Sequence, residues 1–238
     1  MREVVVGAFV TLDGVMQAPG GPQEDPSGGF AHGGWSVNHW DEAMGTAMTE
    51  SMAEPFALLL GRRTYEIFAA HWPHAGEGVR DDLGGTASGI EDPAAELLSS
   101  ARKYVASRTL EHLGWRNSEL LDGDVAEAVA ALKAGDGPRL LVQGSTELIQ
   151  TLLAADLVDE LRVWTFPVLV GPGKRLFGDG TRAGRWGVAD SAVSGTGVVM
   201  TTYRRAGEID HGSFAFDTPT AEEVARRERL AAEDWRAG

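Results

Sequence analysis

The chain has 238 residues, 43% of them apolar, and no cysteine. That is material for one substantial core, and it excludes disulfides, thiolate nucleophiles and cysteine-ligated zinc or iron–sulfur clusters. A net charge of -14 argues against a broad nucleic-acid face, which needs clustered Lys and Arg, so an anionic ligand must meet a local basic pocket.

No stretch approaches the roughly 20 apolar residues that span a bilayer, so no membrane segment is expected. The opening MREVVVGAFV has Glu3 in its flank and no small-residue cleavage site after it, so it reads as a first strand and not as a leader. A cytoplasmic protein is expected. Residues 4–10 are almost continuously apolar and β-branched, the pattern of a central strand covered on both faces. The following TLDGVMQAPGGPQEDPSGGFAHGG is too rich in Gly and Pro for a regular element and is expected to be a long loop of the lid type. Ser36 or Asn38 is positioned to cap a helix running to about Ala53, with Trp40, Met44, Ala47 and Met48 at helical spacing.

PFALLLGRRTYEIF predicts a buried strand over 56–60, a turn at Gly61 and a helix from about Arg63. Residues 74–92 are polar and Gly-rich and read as a surface insertion. Pro93 opens a short helix to Ala101 with Asp92 as its cap, and KYVAS predicts a strand over 103–107. Asp124 caps a helix whose apolar face is Val125, Ala128, Val129 and Leu132. RLLVQG is a further buried strand, with Gly144 and Ser145 leading into a helix that carries Leu148, Leu152 and Ala155. ELRVWTFPVLVG predicts a strand, and GVADSAVSGTGVVMTTYRR a pair joined around residues 195–197. Strands and helices alternate first and antiparallel strands finish the sheet, an α/β class. In the tail, Thr220 and Glu223 stand at capping-box spacing, and the apolar face of Ala221, Val224, Ala231 and Trp235 is too thin for a monomer core, so a homodimer is expected.

Three clusters carry chemistry. In LLLGRRTYE a helix starts directly after a strand, presenting free N–H groups and a positive dipole end to an anion; Arg62 adds a fork for phosphate and Thr64 a hydroxyl. A tight turn with solvated arginines fits those residues equally well. SRTL, with Ser107 and Arg108, also follows a strand and alone reads as an ordinary polar loop; QGSTEL, with Gly144, Ser145, Thr146, Glu147 and Leu148, is a third such site, with Gly144 allowing close backbone approach and Ser145 near the helix start. Their convergence is informative: in open α/β sheets ligands gather at the carboxyl ends of the strands, and together the three describe one extended anionic ligand such as a dinucleotide. GPGKRLF has Arg175 where a phosphate loop needs Ser or Thr and reads as a Gly turn. His71 and His74 are separated by Pro73, which breaks a shared helical face, so no metal is expected.

MREVVVGAFVTLDG, LLLGRRTYE, KYVASRTL, LLVQGSTELIQTLL and VDELRVWTFPVLVGPGKRLF, in that order over about residues 2–205, resemble the dihydrofolate reductase-like superfamily. Within it the likeness is to the bacterial group related to the reductase domain of riboflavin biosynthesis. The resemblance implies a reductase domain over 1–206 with a mixed, mostly parallel sheet and an antiparallel C-terminal hairpin, followed by an extension over 207–238. It implies NADPH, with Gly61, Arg62 and Thr64 at the phosphates, Ser107 and Arg108 at the 2′-phosphate, and residues 144–148 at the pyrophosphate and nicotinamide side. Arg108 favours NADPH over NADH, since a 2′-phosphate needs a nearby cation. One departure is Ser145, where folate reductases commonly have the second of two glycines.

On the substrate side the resemblance implies a flat heterocycle of pterin or pyrimidine type, held by a carboxylate at Asp41 or Glu42. Asp13 and Gly14 would shape the loop over the nicotinamide, Trp35 would close the pocket, and Thr165 would supply a hydroxyl. An exposed acid in an early helical turn is an equally good reading of Asp41. A protein that keeps the fold and binds a nucleotide or small molecule without turnover remains the alternative; Asp41 discriminates, since a reductase expects it in the pocket.

Overall fold

A computed structural model describes residues 1–75 and 93–233. By contacts the chain divides into Met1–Gly207 and Glu208–Gly238. The described residues of the first unit form eight strands: β1 (Val4–Thr11), β2 (Phe56–Gly61), β3 (Lys103–Ala106), β4 (Ser118–Leu120), β5 (Arg139–Val142), β6 (Glu160–Phe166), β7 (Trp186–Val193) and β8 (Val199–Arg205). They form one sheet in the order β4-β3-β2-β5-β1-β6-β8-β7. Pairing is parallel from β4 through β6 and antiparallel for β6–β8 and β8–β7, so the carboxyl ends of the first six strands share one edge.

Strand β1 is central because its residues are apolar on both sides. Val4, Val6, Ala8 and Val10 pack under the helices α4 (Val125–Ala134) and α5 (Thr146–Ala154), against Val129, Leu148, Ile149 and Leu152. On the opposite face Val5 packs with Leu58, Leu60, Val105 and Leu141 against Tyr65, Leu98 and Trp115. That face carries α1 (Glu42–Ser51), α2 (Arg62–His71) and α3 (Pro93–Ser100). Each fully buried aliphatic side chain contributes about 1.5–3 kcal/mol, and burial on both faces fixes the register, because a one-residue slip would exchange the two sets.

The helix after the first loop starts later than the spacing predicts. Residues Val37–His39 form only a 3-10 turn, and the cap is Asp41, whose carboxylate accepts from the Met44 N–H at 2.9 Å; Ser36 instead donates to Pro19 O at 2.8 Å. Strand β4, three residues at the sheet edge, is too short to leave a periodic signal. The polar insertion, with the Asp92 cap, falls on residues 76–92, outside the described residues, as does Trp235. Lys103 is fully buried: its ammonium donates to the carbonyls of Ser99, Ala101 and Arg116 at 2.9, 2.7 and 3.2 Å and sits 4.1 Å from the Trp115 ring centroid. Burial, followed by the Arg116 charge, pulls its pKa down to about 8. In the second unit α6 (Ala221–Ala232) is capped by Thr220, which accepts from the Glu223 N–H. No described helix is long and apolar enough to cross a membrane.

Candidate cofactor and substrate site

Among the described residues three α-helices are capped by a side chain: α1 by Asp41, α4 by Asp124 and α6 by Thr220. The two that follow directly from central strands are not. The N-caps of α2 and α5 are Gly61 and Ser145, and neither makes a side-chain capping bond, so the first-turn N–H groups of both helices are left for a partner. The two junctions touch. Gly61 N–H donates to Gly144 O at 3.2 Å, a Cβ at Gly61 would lie 2.1 Å from Ser145 Oγ, and one at Gly144 would lie 2.4 Å from Thr64 Oγ1. Gly144 also has φ 132°, and the Gly144–Ser145 peptide is cis. Only glycines allow the helix N-termini to come this close.

Together the junctions wall a channel of about 370 Å³. The loop after β3 closes its far side, where Ser107 Oγ accepts from the Thr109 and Leu110 N–H groups at 3.2 and 3.0 Å and so fixes the turn carrying Arg108. Gly61, Arg62, Ser107, Arg108 and residues 145–148 all face this channel. Arg62, Arg63 and Arg108 enter no ion pair among the described residues, leaving their charges for a ligand in a protein of net -14.

The channel shares Arg63, Ser145 and Lys174 with a cavity of about 570 Å³, which lies over the α1–α2 face of the sheet. Thr64 and Gly144 line this cavity, so all ten residues expected at the cofactor fall on two adjoining spaces. Its aromatic wall is Phe9 stacked on Trp164, centroids 5.1 Å apart, with Trp40 5.9 Å from both. At Gly7 the strand surface is open, since a Cβ there would meet nothing within 4 Å. Arg162 stands at the floor, paired with the buried Glu160 at 2.6 Å and donating to Ser51 O at 3.2 Å. The first loop adds Gln17, Glu24 and Asp25 to the lining. Burial raises the Glu24 carboxyl, outweighing the N–H groups of Gly20 and Gly21 that it accepts from. Burial also pushes on Asp25, but hydrogen bonds from Lys174 and Ser27 prevail and hold it below its usual range.

The expected substrate residues are placed elsewhere. Asp41 is absent from the cavity wall: besides capping α1, its carboxylate is held low first by the Met44 N–H and then by Gly195, Thr196 and Ser194 of the β7–β8 turn. Thr165 belongs to the other face of the sheet, in register with Val10; alternation along β6 presents its neighbours Arg162 and Trp164 to the cavity instead. Trp35 donates to Gln17 O at 2.8 Å and packs edge-on against Phe166 at 5.2 Å, fixing the loop from behind, while Trp40 is the indole that lines the cavity. Asp13 ties two loops together, accepting from Thr11 Oγ1 at 2.5 Å and from Gly171 N–H at 2.8 Å, and its carboxyl is lowered first by Thr11. Lys174, in the turn set aside as a failed phosphate loop, lines both spaces. The sequence signal that could have found Arg162 is a charged residue set between Leu161 and Val163 inside a strand, two positions from Glu160; Phe9 and Trp164 are in direct register on β1 and β6, which only the pairing reveals.

Comparison with known proteins identifies the fold and the family. A curated relative from Bacillus subtilis, described as the uncharacterized protein YyaP, is 26% identical over 207 residues, covering 85% of this chain and 94% of its own. Among solved structures, a putative riboflavin biosynthesis protein from Shewanella superposes with TM-score 0.56 at 23% identity, over 86% of this chain and 99% of that one. A pyrimidine reductase-like protein from Corynebacterium diphtheriae gives 0.53 at 13% identity, over 87% and 93%. Dihydrofolate reductase from Enterococcus faecalis, solved with NADP(H), gives 0.51 at 14% identity, over 85% and 96%. The fold is therefore dihydrofolate reductase-like, and with the model of the RibD C-terminal domain matching residues 2–200, the chain belongs to that family.

Proposed function

We propose that this protein is an NADPH-dependent reductase that delivers hydride to a C=N or C=O group of a flat heterocycle of pterin or pyrimidine type. The observation that carries the reading is the union of two uncapped helix N-termini and three unpaired arginines in a channel that opens into an aromatic cavity. The residues fit the cofactor: Gly61 and Gly144 let α2 and α5 approach, the N–H groups of residues 62–64 and 145–148 face the phosphates, and Arg108 reads the 2′-phosphate. NADPH supplies the hydride. The protein's part is to orient the two rings and exclude water: Phe9, Trp164 and Trp40 wall the heterocycle, the open strand at Gly7 gives its ring a floor, and Glu24, its carboxyl raised by burial, is a cavity-lining acid. The protein acts as a homodimer in this reading, because no described residue of α6 is buried.

A second reading, a binding protein without turnover, is favoured by the position of Asp41 outside the cavity. Mixing the protein with NADPH and a panel of pterins and pyrimidines separates the two. Loss of reduced-nicotinamide absorbance with any member supports the reductase, and tight binding with no oxidation across the panel supports sequestration. Sedimentation at micromolar concentration tests the dimer: a single species at 25.3 kDa contradicts it.

A further inference from the structure

Lys174 is the one cation of the turn after β6 that faces both the channel and the larger cavity. Its ammonium bonds Asp25 Oδ2 at 2.5 Å and Ser27 Oγ at 2.8 Å, and Ser27 in turn donates to Asp25 Oδ1 at 2.5 Å. This is not a loose surface pair, since the Asp25 side chain is only 11% exposed. The backbone doubles the connection. Gln17 Nε2 donates to the carbonyls of Asp25 and Ser27, both at 2.9 Å, while Gln17 Oε1 accepts from the Lys174 N–H at 3.1 Å; Met16 N–H donates to Lys174 O at 2.8 Å. Met16, Gln17, Asp25 and Ser27, from both ends of the first loop, therefore meet at a single lysine.

An ammonium has three hydrogens, and two are used here. The Lys174–Asp25 pair is neutral, so the third N–H is presented with little net charge until an anion arrives beside it. We propose that Lys174 is a phosphate ligand in the channel and that, by holding Asp25 and Ser27 at the same time, it makes the order of residues 15–30 depend on the bound phosphates, so that the dinucleotide binds first and fixes the loop over the heterocycle's cavity. The proposal rests on the dinucleotide occupying the channel. It adds one residue to the phosphate contacts and an order to the binding steps. Displacing Lys174 from Asp25 is the less favourable alternative, since it would strand a carboxylate that is almost nine-tenths buried; addition of phosphate to the free hydrogen leaves that pair intact.

Amide hydrogen exchange over residues 15–30, with NADPH and separately with inorganic pyrophosphate, tests this. In the unmodified protein each anion slows exchange, by up to about a hundredfold at 100 times its Kd. Lys174→Met weakens NADPH by about tenfold or more and abolishes the slowing even at saturation, and Lys174→Arg restores both. Asp25→Asn retains NADPH affinity but loses the slowing, because the cation remains and its grip on the loop does not. Slowing that survives in saturated Lys174→Met, or an NADPH affinity unchanged by it, overturns the proposal. Pyrophosphate slowing that depends on Lys174, with no binding of NADPH, leaves the phosphate ligand standing and refutes the dinucleotide reading instead; binding of neither anion overturns both.

Discussion

Gly61→Ala tests whether the junctions of α2 and α5 are interlocked as described. Gly61 has φ -72° and ψ 159°, which any residue adopts, so alanine brings no backbone strain and the whole effect is steric. Its Cβ would lie 2.1 Å from Ser145 Oγ and 3.0 Å from both Ser145 Cβ and Ser145 N. Rotation of the Ser145 hydroxyl relieves only the first contact; the others require backbone movement, an overpacking cost of about 1–3 kcal/mol. For a unit of this size a loss of about 2 kcal/mol lowers Tm by about 4–8 °C. Ser145→Gly removes Oγ and Cβ and leaves only the 3.0 Å contact to nitrogen, so the double variant should recover about 1 kcal/mol or more relative to the sum of the single changes, a coupling expected only of residues in contact. Urea unfolding of the four proteins measures this. A Gly61→Ala loss below about 0.5 kcal/mol, or strict additivity, would refute the interlock and with it the close approach of the two helix N-termini.

Two further outcomes follow from other sites. The Lys103 ammonium titrates near about 8 folded against 10.5 free, so between those values the unfolded chain holds more protons and stability must rise with pH; urea midpoints should climb across that window, and the climb should be absent in Lys103→Met. Asp41, with its carboxyl lowered by the α1 N-terminus and the β7–β8 turn, stabilises above its unfolded pKa of 3.8 and loses that contribution as pH falls through its lower folded value. Asp41→Ala should therefore be less stable than the parent at neutral pH, converge with it in strong acid, and leave NADPH affinity unchanged.

Much of the fold was legible because its strands are β-branched runs flanked by glycine and its helices carry apolar faces at regular spacing. The strand, glycine and helix succession at Gly61 and Gly144 located the channel for the same reason: a strand-end glycine before an uncapped helix is visible in a linear pattern. The larger cavity was not. Thr165 and Trp164 are adjacent in sequence yet face opposite sides, and β6 carries large apolar side chains on both, so only its pairing with β1 decides which side chain meets the cavity. Asp41 carries the signature of a helix cap as well as that of a ligand, and the cap prevails. Trp35 and Trp40 both precede α1, in a loop whose path depends on Gln17 and Lys174, contacts across more than 150 residues that no local pattern encodes.

The central claim is that a phosphorylated dinucleotide lies in the channel with its 2′-phosphate at Arg108 and its shared phosphates at Arg62, and the affinities of two arginine variants for NADPH and NADH test it most directly. At low ionic strength, where an exposed cation is least screened, Arg108→Ala should weaken NADPH by about tenfold to a hundredfold, the equivalent of about 1.5–3 kcal/mol for a charge-assisted hydrogen bond, while leaving NADH nearly unaffected; Arg62→Ala should weaken both by similar factors. Equal losses for the two cofactors in Arg108→Ala, or no loss in either variant, would contradict the placement.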